Sequence, residues 1–228
     1  MSFVVELRDV RLQLGHTTPH PVDFRVDEFH LGDGEQLAVT GPSGCGKSTL
    51  LNLVAGLQKA DQGTIQVLGQ ALHQLSTTQV DRLRGQSMGM VHQEFLLLDR
   101  FTALENVLIG LRFGRLRGGV MRMRAQNWLE RVGLAHRRHA YPPQLSMGER
   151  QRVALARAMA HQPRLILADE PTGALDPATA ADVFGLVRSV CAQERCALLL
   201  VTHDLALAGQ LPRHFDAATL IARPGAPS

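Results

Sequence analysis

The sequence predicts an α/β fold built on a mostly parallel sheet that is covered by helices on both faces. Two short apolar runs, Leu165–Ala168 and Ala197–Val201, lack the polar alternation of a half-exposed strand and indicate buried parallel strands. Between them, apolar residues recur with helical spacing from Val183 to Cys191. Strands that alternate with helices are typical of this layered architecture.

The first part of the chain predicts a second, smaller sheet. Apolar and polar residues alternate from Val5 to Leu14, and Val22–Leu31 predicts another strand. Gln36–Thr40 is a third strand that enters a glycine turn, followed by helical spacing over Ser48–Leu57 and strand character over Thr64–Leu68. We therefore expect an N-terminal antiparallel β subdomain, followed by strand, glycine loop, helix and strand.

A mostly helical segment interrupts the alternation of strands and helices. Thr102 is placed to cap a helix that runs through Gly110, with Glu105 at the capping-box position. Further apolar residues with helical spacing follow around Trp128. We expect a single domain over residues 1–228, with a helical subdomain inserted at about 94–160.

Composition restricts the partners and the compartment. With 228 residues, 45% of them hydrophobic, the chain is long enough to bury its own core. The net charge is only +3 because 21 acidic residues offset 24 basic ones, so we expect no nucleic-acid partner. Three cysteines without CxxC spacing argue against a disulfide framework or a zinc site and favour a reducing compartment.

Nothing in the sequence predicts a membrane-crossing segment or a secretory signal. The charged residues Glu6, Arg8 and Asp9 interrupt the N-terminus, where a signal needs an apolar core. The apolar stretches fall far short of the roughly 20 residues that cross a bilayer. If the protein works at a membrane, we expect another chain to span it.

A glycine-rich loop lies between the predicted strand and the helix that follows. It comprises Gly41, Pro42, Ser43, Gly44, Cys45, Gly46, Lys47, Ser48 and Thr49. The loop matches G-x-x-x-x-G-K-[ST] in the strand-to-helix context that this pattern requires. Its glycines let backbone N–H groups point at phosphates, Lys47 adds a full charge, and the Ser48 hydroxyl can bind Mg²⁺. The alternative is a glycine-rich turn that holds a lysine by chance.

Two carboxylates follow the first apolar strand. Asp169 and Glu170 stand at its carboxyl end, where ligand sites of such sheets lie. Asp169 is the candidate Mg²⁺ ligand, and Glu170 is the candidate base that orients and deprotonates an attacking water. The alternative is a solvated acidic turn before Pro171. Together with the glycine loop, the pair predicts an ATPase or a GTPase.

A further motif makes the sequence similar to the ATP-binding-cassette (ABC) family. Leu145–Arg152 resembles the signature L-S-G-G-Q/E that precedes a helix in that family. Other family motifs occur in order, with Gln93 at the Q-loop, Asp176 at the D-loop and His203 after the strand Ala197–Val201. The resemblance covers nearly the whole chain. It implies a P-loop NTPase core of the ABC type that uses ATP with Mg²⁺.

The same resemblance implies nucleotide sites shared between two copies of the chain. A serine hydroxyl and a glycine N–H at a helix N-terminus form an anion site. By the family's geometry, Ser146 and Gly148 of one copy close over the γ-phosphate held by Lys47 of the other, in a head-to-tail homodimer. Asp176 belongs to the nucleotide-contacting set. Ser146 is equally an ordinary helix cap with Glu149 completing a capping box, and both roles can hold at once.

Two further roles come from the resemblance. His203 would hydrogen-bond the γ-phosphate and hold Glu170 and the water in place. Gln93 would contact Mg²⁺ or the water and report the nucleotide state to a partner. Without the family context, each is an ordinary loop or surface residue.

The chain departs from the family pattern at three places. Met147 stands where the signature usually has its first glycine, so we expect slower closure or weaker hydrolysis. The aromatic residue that often stacks on adenine is missing, which leaves Leu14 or His16 to cover the ring. The segment His214–Ala222 matches the usual C-terminal strand and turn weakly.

The stretches Phe95–Val107 and Glu170–Asp176 resemble the family branch that serves lipoprotein release, macrolide export and cell division. That branch pairs the ATPase with a membrane permease on a separate chain, which implies a cytoplasmic protein, peripheral on the inner face of the cell membrane. Phe95–Leu98 is the candidate dock for the permease, or else core of the helical subdomain. A basic run is either a solvated face or a contact for lipid headgroups or a partner. It comprises Arg112, Arg115, Arg117, Arg122 and Arg124.

Three functions fit these motifs. In the leading hypothesis, ATP binding closes the dimer, hydrolysis reopens it, and the movement drives the permease. The alternative is a slow regulatory ATP switch that acts on a membrane partner without transport; ATP turnover with and without the partner separates the two. A soluble ABC-type ATPase of DNA repair or translation is disfavoured, because only 122 residues separate Lys47 from Asp169 (169 − 47) and they hold no sustained heptads.

Overall fold

A computed structural model describes residues 3–14, 22–112 and 118–222 of the chain. Within these ranges, ten strands form two sheets, and seven α-helices accompany them. The strands are β1 (Phe3–Leu14), β2 (Val22–Gly32), β3 (Gln36–Thr40), β4 (Gln62–Val67), β5 (Gln70–Ala71), β6 (Met88–His92), β7 (Leu165–Asp169), β8 (Ala197–Val201), β9 (Arg213–Asp216) and β10 (Ile221–Ala222). The helices are α1 (Lys47–Val54), α2 (Thr77–Ser87), α3 (Ala103–Leu111), α4 (Gly119–Arg131), α5 (Met147–Met159), α6 (Pro177–Gln193) and α7 (Leu205–Ala208).

The antiparallel sheet that the alternating pattern predicts is confirmed. Its strands lie in the order β10-β2-β1-β4-β5, and every pairing is antiparallel. Leu7 of β1 faces Phe29 of β2, and Leu12 faces Phe24; all four side chains are buried. The apolar half of each alternating strand therefore supplies the core.

The second sheet is wholly parallel, with the strand order β6-β7-β8-β3-β9. The two apolar runs of the sequence form β7 and β8, which are neighbours in this sheet and buried along their apolar residues. Strand β9 forms in the segment with the weak family match, because its backbone pairs with β3. Since all five strands run in the same direction, their carboxyl ends meet at one edge.

Helices α3, α4 and α5 occupy the predicted helical segment. Both predicted capping boxes are present: the Thr102 N–H donates to Glu105 Oε2 at 2.7 Å, and the Glu149 N–H donates to Ser146 Oγ at 3.2 Å. The apolar pattern does not predict α2, since only two of its residues are buried, although Ser76 forms a capping box there. None of the helices in the described ranges has the length and apolar content that a bilayer crossing requires.

Helix α5 packs against its neighbours so closely that glycine is required at two contact points. A Cβ on Gly89 of β6 would lie 2.4 Å from the backbone oxygen of Ala158, and one on Gly110 of α3 would lie 2.6 Å from that of Arg157. Neither backbone oxygen can move without shifting the helix itself. These contacts fix α5 against the parallel sheet and against α3.

We predict that Gly89→Ala lowers the free energy of unfolding by about 1–3 kcal/mol, because the new methyl group overpacks the contact between β6 and α5. Gly185→Ala is the matched control, since Gly185 lies exposed inside α6 with nothing near its Cβ position. The free energy of unfolding of Gly185→Ala should rise by about 0.5–1 kcal/mol. Urea denaturation measures both. Equal stability of the two variants would contradict this packing.

Candidate active site

The carboxyl edge of the parallel sheet carries a cleft of about 410 Å³. It is lined by Leu14, Ser43, Gly44, Gly46, Lys47, Ser48, Thr49, Gln93, Asp169, Glu170, Val201 and His203. These residues follow or end strands β1, β3, β6, β7 and β8, or begin helix α1. The sheet therefore brings together side chains that are far apart in the sequence.

The glycine loop needs backbone angles that other residues rarely adopt. Gly44 and Gly46 have φ angles of +78° and +95°, in the left-handed region where a Cβ is disfavoured. Gly41, at the end of β3, leaves no room for a side chain, because a Cβ there would lie 2.8 Å from the Cys45 sulfur. Cys45 is buried and does not line the cleft. These constraints shape the turn from β3 into α1.

Lys47 lies buried inside the loop. Its side chain is only 8% exposed, and its Nζ donates hydrogen bonds of 2.8 Å to the carbonyls of Gly41 and Pro42. Helix α1 begins at Lys47, so the partial positive charge of the helix N-terminus adds to that of the ammonium. This end of the cleft is suited to bind phosphate groups.

Ser48 and Asp169 face each other across the cleft. The Ser48 hydroxyl donates to Asp169 Oδ1 at 3.4 Å. Burial raises the pKa of Asp169 above its usual value, while the hydrogen bond from Ser48 opposes that rise. A hydroxyl and a carboxylate are oxygen ligands of the kind that Mg²⁺ prefers, so the pair fits a magnesium ion bound beside phosphates.

Both carboxylate oxygens of Glu170 lie close to a polar side chain. His203 Nδ1 lies 2.9 Å from Oε1, and the Thr202 hydroxyl donates to Oε2 at 3.2 Å. The Asp204 N–H in turn donates to the Thr202 hydroxyl oxygen at 3.1 Å, which orients that hydroxyl. Glu170 itself has a φ of +46°, an uncommon angle for a residue with a side chain. These contacts fix the orientation of the carboxylate in the cleft.

Gln93 reaches the same cleft from the neighbouring strand. His92 pairs with Asp169 in the parallel register, so the next residue along the chain, Gln93, lies beside Glu170. Its side chain also lies close to Gly173, where a Cβ would come within 3.0 Å of Gln93 Nε2. The Q-loop residue and the loop after the acidic pair therefore pack against each other.

Outside the glycine loop, three predicted site residues do not line this cleft: Ser146, Gly148 and Asp176. Ser146 is exposed at the start of α5, whereas Gly148 is buried, and a Cβ there would lie 2.6 Å from Thr179 Cγ2. Asp176 caps α6 by accepting a hydrogen bond of 3.1 Å from the Thr179 N–H, and hydrogen bonds with Thr179 lower the pKa of Asp176. The two helix N-termini therefore form a surface separate from the chain's own cleft.

Leu14 and His16 are the residues predicted to cover an adenine ring. Leu14, one of two candidates to cover the ring, lines the cleft. The other candidate, His16, lies outside the described residues. An apolar side chain at Leu14 can cover one face of a base without the ring stacking that an aromatic residue supplies.

Two residues at the site are missed by reasoning from sequence. Thr202 bonds the candidate base, and Thr179 contacts both Gly148 and Asp176. Thr202 has a weak signal, since it is a polar residue between a buried strand and His203. Thr179 has none, because its contact with Gly148 depends on how α5 packs beside α6.

Comparison with known proteins identifies related sequences and structures. The sequence model of a family described as ABC transporter matches residues 24–173. The lipoprotein-releasing system ATP-binding protein LolD of Hydrogenovibrio crunogenus is 47% identical over 189 residues, which cover 83% of this chain and 82% of that protein. The protein of the same name from Pseudomonas syringae pv. tomato is 47% identical over 82% of both chains.

Solved structures resemble the whole described fold. One is the dimeric structure of an ATP-binding cassette in a post-hydrolysis state bound to ADP and Pi. It superimposes with a TM-score of 0.84 at 31% sequence identity and covers 97% of this chain and 99% of that chain. At this identity and coverage the likeness extends beyond the general α/β architecture.

We predict that Lys47→Ala lowers ATP turnover by about 100-fold or more, because it removes the full positive charge at the phosphate end of the cleft. Lys59→Ala is the control, since Lys59 is exposed and lines a different depression. Phosphate release under saturating ATP measures both. Undiminished release from Lys47→Ala would contradict the assignment of the loop.

Proposed function

We propose that this chain, which belongs to the ABC transporter family, is the ATP-hydrolysing subunit of a transporter that acts on lipoproteins. Like the family, it binds and hydrolyses ATP. One observation carries the proposed residue roles: Thr202 and His203 contact the two carboxylate oxygens of Glu170 in the cleft that Lys47 also lines. A carboxylate held in this way can act on a water beside the terminal phosphate.

In this proposal the glycine loop binds the phosphates of ATP. Ser43, Gly44 and residues 46–49 line the cleft, so their backbone N–H groups and the N-terminus of α1 would contact the phosphates. The Lys47 ammonium can turn from its loop carbonyls toward the β- and γ-phosphates. Ser48, Asp169 and Gln93 would hold Mg²⁺. When bound, the ion neutralises charge that develops on the phosphate oxygens.

Glu170 is the proposed general base. It accepts a proton from the attacking water, while Thr202 and His203 keep the carboxylate aimed at that water. His203 Nδ1 faces Glu170, and Nε2 on the other side of the ring is placed to hydrogen-bond the γ-phosphate. Its side chain is 69% exposed, which leaves the second nitrogen accessible.

The active assembly in this proposal is a head-to-tail homodimer closed by ATP. Ser146 and Met147 are exposed at the N-terminus of α5, where a second copy can reach them. Asp176 is exposed on the same surface, at the start of α6. In this arrangement Ser146 and Gly148 of one copy complete the phosphate site of the other. The solved relative with ADP and Pi is dimeric, which supports this assembly.

A membrane permease on a separate chain is the proposed partner. A groove of about 580 Å³ lies between β6, α2, α3 and α5, and Leu96 lines it. Leu96 and Leu98 are 52% and 46% exposed, while Leu97 packs against a core cluster that includes the helical segment. The exposed leucines support the predicted docking role, and Leu97 supports the predicted core role. A cytoplasmic apolar segment of the permease would dock there, with the ATPase on the inner face of the membrane.

The other predicted features complete the proposal. Residues 1–228 form one ABC ATPase domain with the helical subdomain at about 94–160, which the tight packing of α5 on Gly89 supports. No nucleic-acid partner is proposed. Arg112 of the basic run directly follows α3, and Arg122 and Arg124 lie on α4, whereas Arg115 and Arg117 lie outside the described residues. Contact of this run with lipid headgroups stays a prediction.

A slow regulatory ATP switch is the second candidate function. Met147 is 52% exposed at the helix end that would approach the partner's nucleotide. A flexible side chain at this point fills space that a glycine would leave open to phosphate. Slow closure would then favour signalling over repeated transport cycles.

We predict that Glu170→Gln traps a dimer in the presence of ATP, because the change removes the base but leaves the phosphate contacts intact. Gel filtration should show an ATP-dependent shift from the 24.9 kDa monomer to the dimer. Glu28→Gln, an exposed position on β2, should behave like the unmodified chain. A monomer at every ATP concentration would count against the proposal.

We predict that Met147→Gly raises ATP turnover severalfold, because it clears the approach to the composite phosphate site. Met123→Ala removes another exposed methionine, on α4, and should leave turnover unchanged. Steady-state phosphate release measures both variants. A lower rate for Met147→Gly would show that the methionine contributes to closure instead of obstructing it.

A further inference from the structure

Gln151 is a polar side chain buried completely inside the molecule. It lies on α5, one turn after Ser146 and Met147, and has no solvent exposure. Its Nε2 donates to the Pro171 carbonyl at 2.5 Å and lies 3.5 Å from the His92 carbonyl. Burial of an amide is unfavourable unless hydrogen bonds compensate. These contacts offset the cost of burying the Gln151 side chain.

Both carbonyls belong to loops of the proposed active site. Pro171 directly follows Glu170, whose left-handed backbone turns the chain at the end of β7. His92 directly precedes Gln93 at the end of β6. One side-chain amide therefore joins α5 to the two segments that carry the proposed base and the Q-loop glutamine.

The chemistry at this position requires a hydrogen-bond donor. Both neighbouring groups are carbonyl oxygens, so the amide must present its NH₂ group to them. Gln151 Oε1 is then buried without a hydrogen-bond partner among the described residues. An unpaired buried oxygen is unfavourable, and nearby buried positions of α5, such as Val153 and Leu155, are apolar. Packing alone would be served better by an apolar residue of similar size.

We propose that Gln151 is a positioning residue for ATP hydrolysis. Through Pro171 and His92 it holds the loops of Glu170 and Gln93 against the helix whose first turn carries Ser146. A second copy that docks on the Ser146 end of α5 then acts on a helix already connected to the carboxylate loop. This inference rests on the proposed role of Glu170, and Gln151 itself does not line the nucleotide cleft.

The test separates positioning from simple packing. Gln151→Met keeps the length and most of the volume of the side chain but removes the donor. We expect kcat for ATP to fall about 10- to 100-fold, the loss that a small misplacement of a catalytic group produces, with KM for ATP unchanged. Gln151→Leu is a second variant without the donor, to be used if Gln151→Met does not fold. It should show the same fall in kcat with an unchanged KM.

Val153→Ala is the matched control, because it removes buried volume two residues further along α5 without touching either carbonyl. It should lower the thermal midpoint while kcat stays unchanged. If the folded donor-free variants keep the kcat of the unmodified chain, or change only KM, the inference is wrong. Glu170→Gln is assayed beside them: retained turnover there overturns the proposed base, whereas its loss together with normal Gln151→Met turnover overturns only the role of Gln151.

Discussion

Parallel pairing among β3, β7 and β8 is the constraint on which the site depends. Because the three strands run in register, with Val39 opposite Val201 and Asp169 opposite Val201 on the other side, the segments that follow them leave the sheet at the same level. The glycine loop, the acidic pair and the Thr202–His203 segment therefore converge on one cleft. A slip in any pairing would separate Lys47 from Glu170.

Helix α5 connects this cleft to the rest of the molecule. Ser146 lies exposed at its start, Gln151 bonds the site loops in its first half, and Arg157 bonds the candidate dock near its end. Arg157 donates to the carbonyls of Phe95 and Leu96, two residues with φ angles of +58° and +48°. Strained backbone of this kind persists only where its surroundings hold it. One helix thus connects the proposed dimer surface, the proposed active site and the candidate dock.

The cleft and the surface at the N-termini of α5 and α6 belong to one chain, but in the proposed dimer they contact different nucleotides. In the proposed function, Lys47 and Glu170 would act on the chain's own nucleotide, whereas Ser146 would act on that of a second copy. This division explains why the predicted site residues fall into two groups in the structure. The same division fits the burial of α5. The helix is buried where it packs closely against Gly89 and Gly110, and it is exposed at the end where a second copy would dock.

The sequence by itself determined the elements whose signals are local. Apolar runs predicted β7 and β8, capping boxes predicted the starts of α3 and α5, and the glycine pattern predicted the phosphate loop, because each signal needs only neighbouring residues. Only the tertiary structure decided the contacts of Thr202, Thr179 and Gln151. Their partners are distant in the chain, with Gln151 and His92 separated by 59 residues, and a hydrogen bond between such groups depends on how helices and strands pack. No local pattern records that packing.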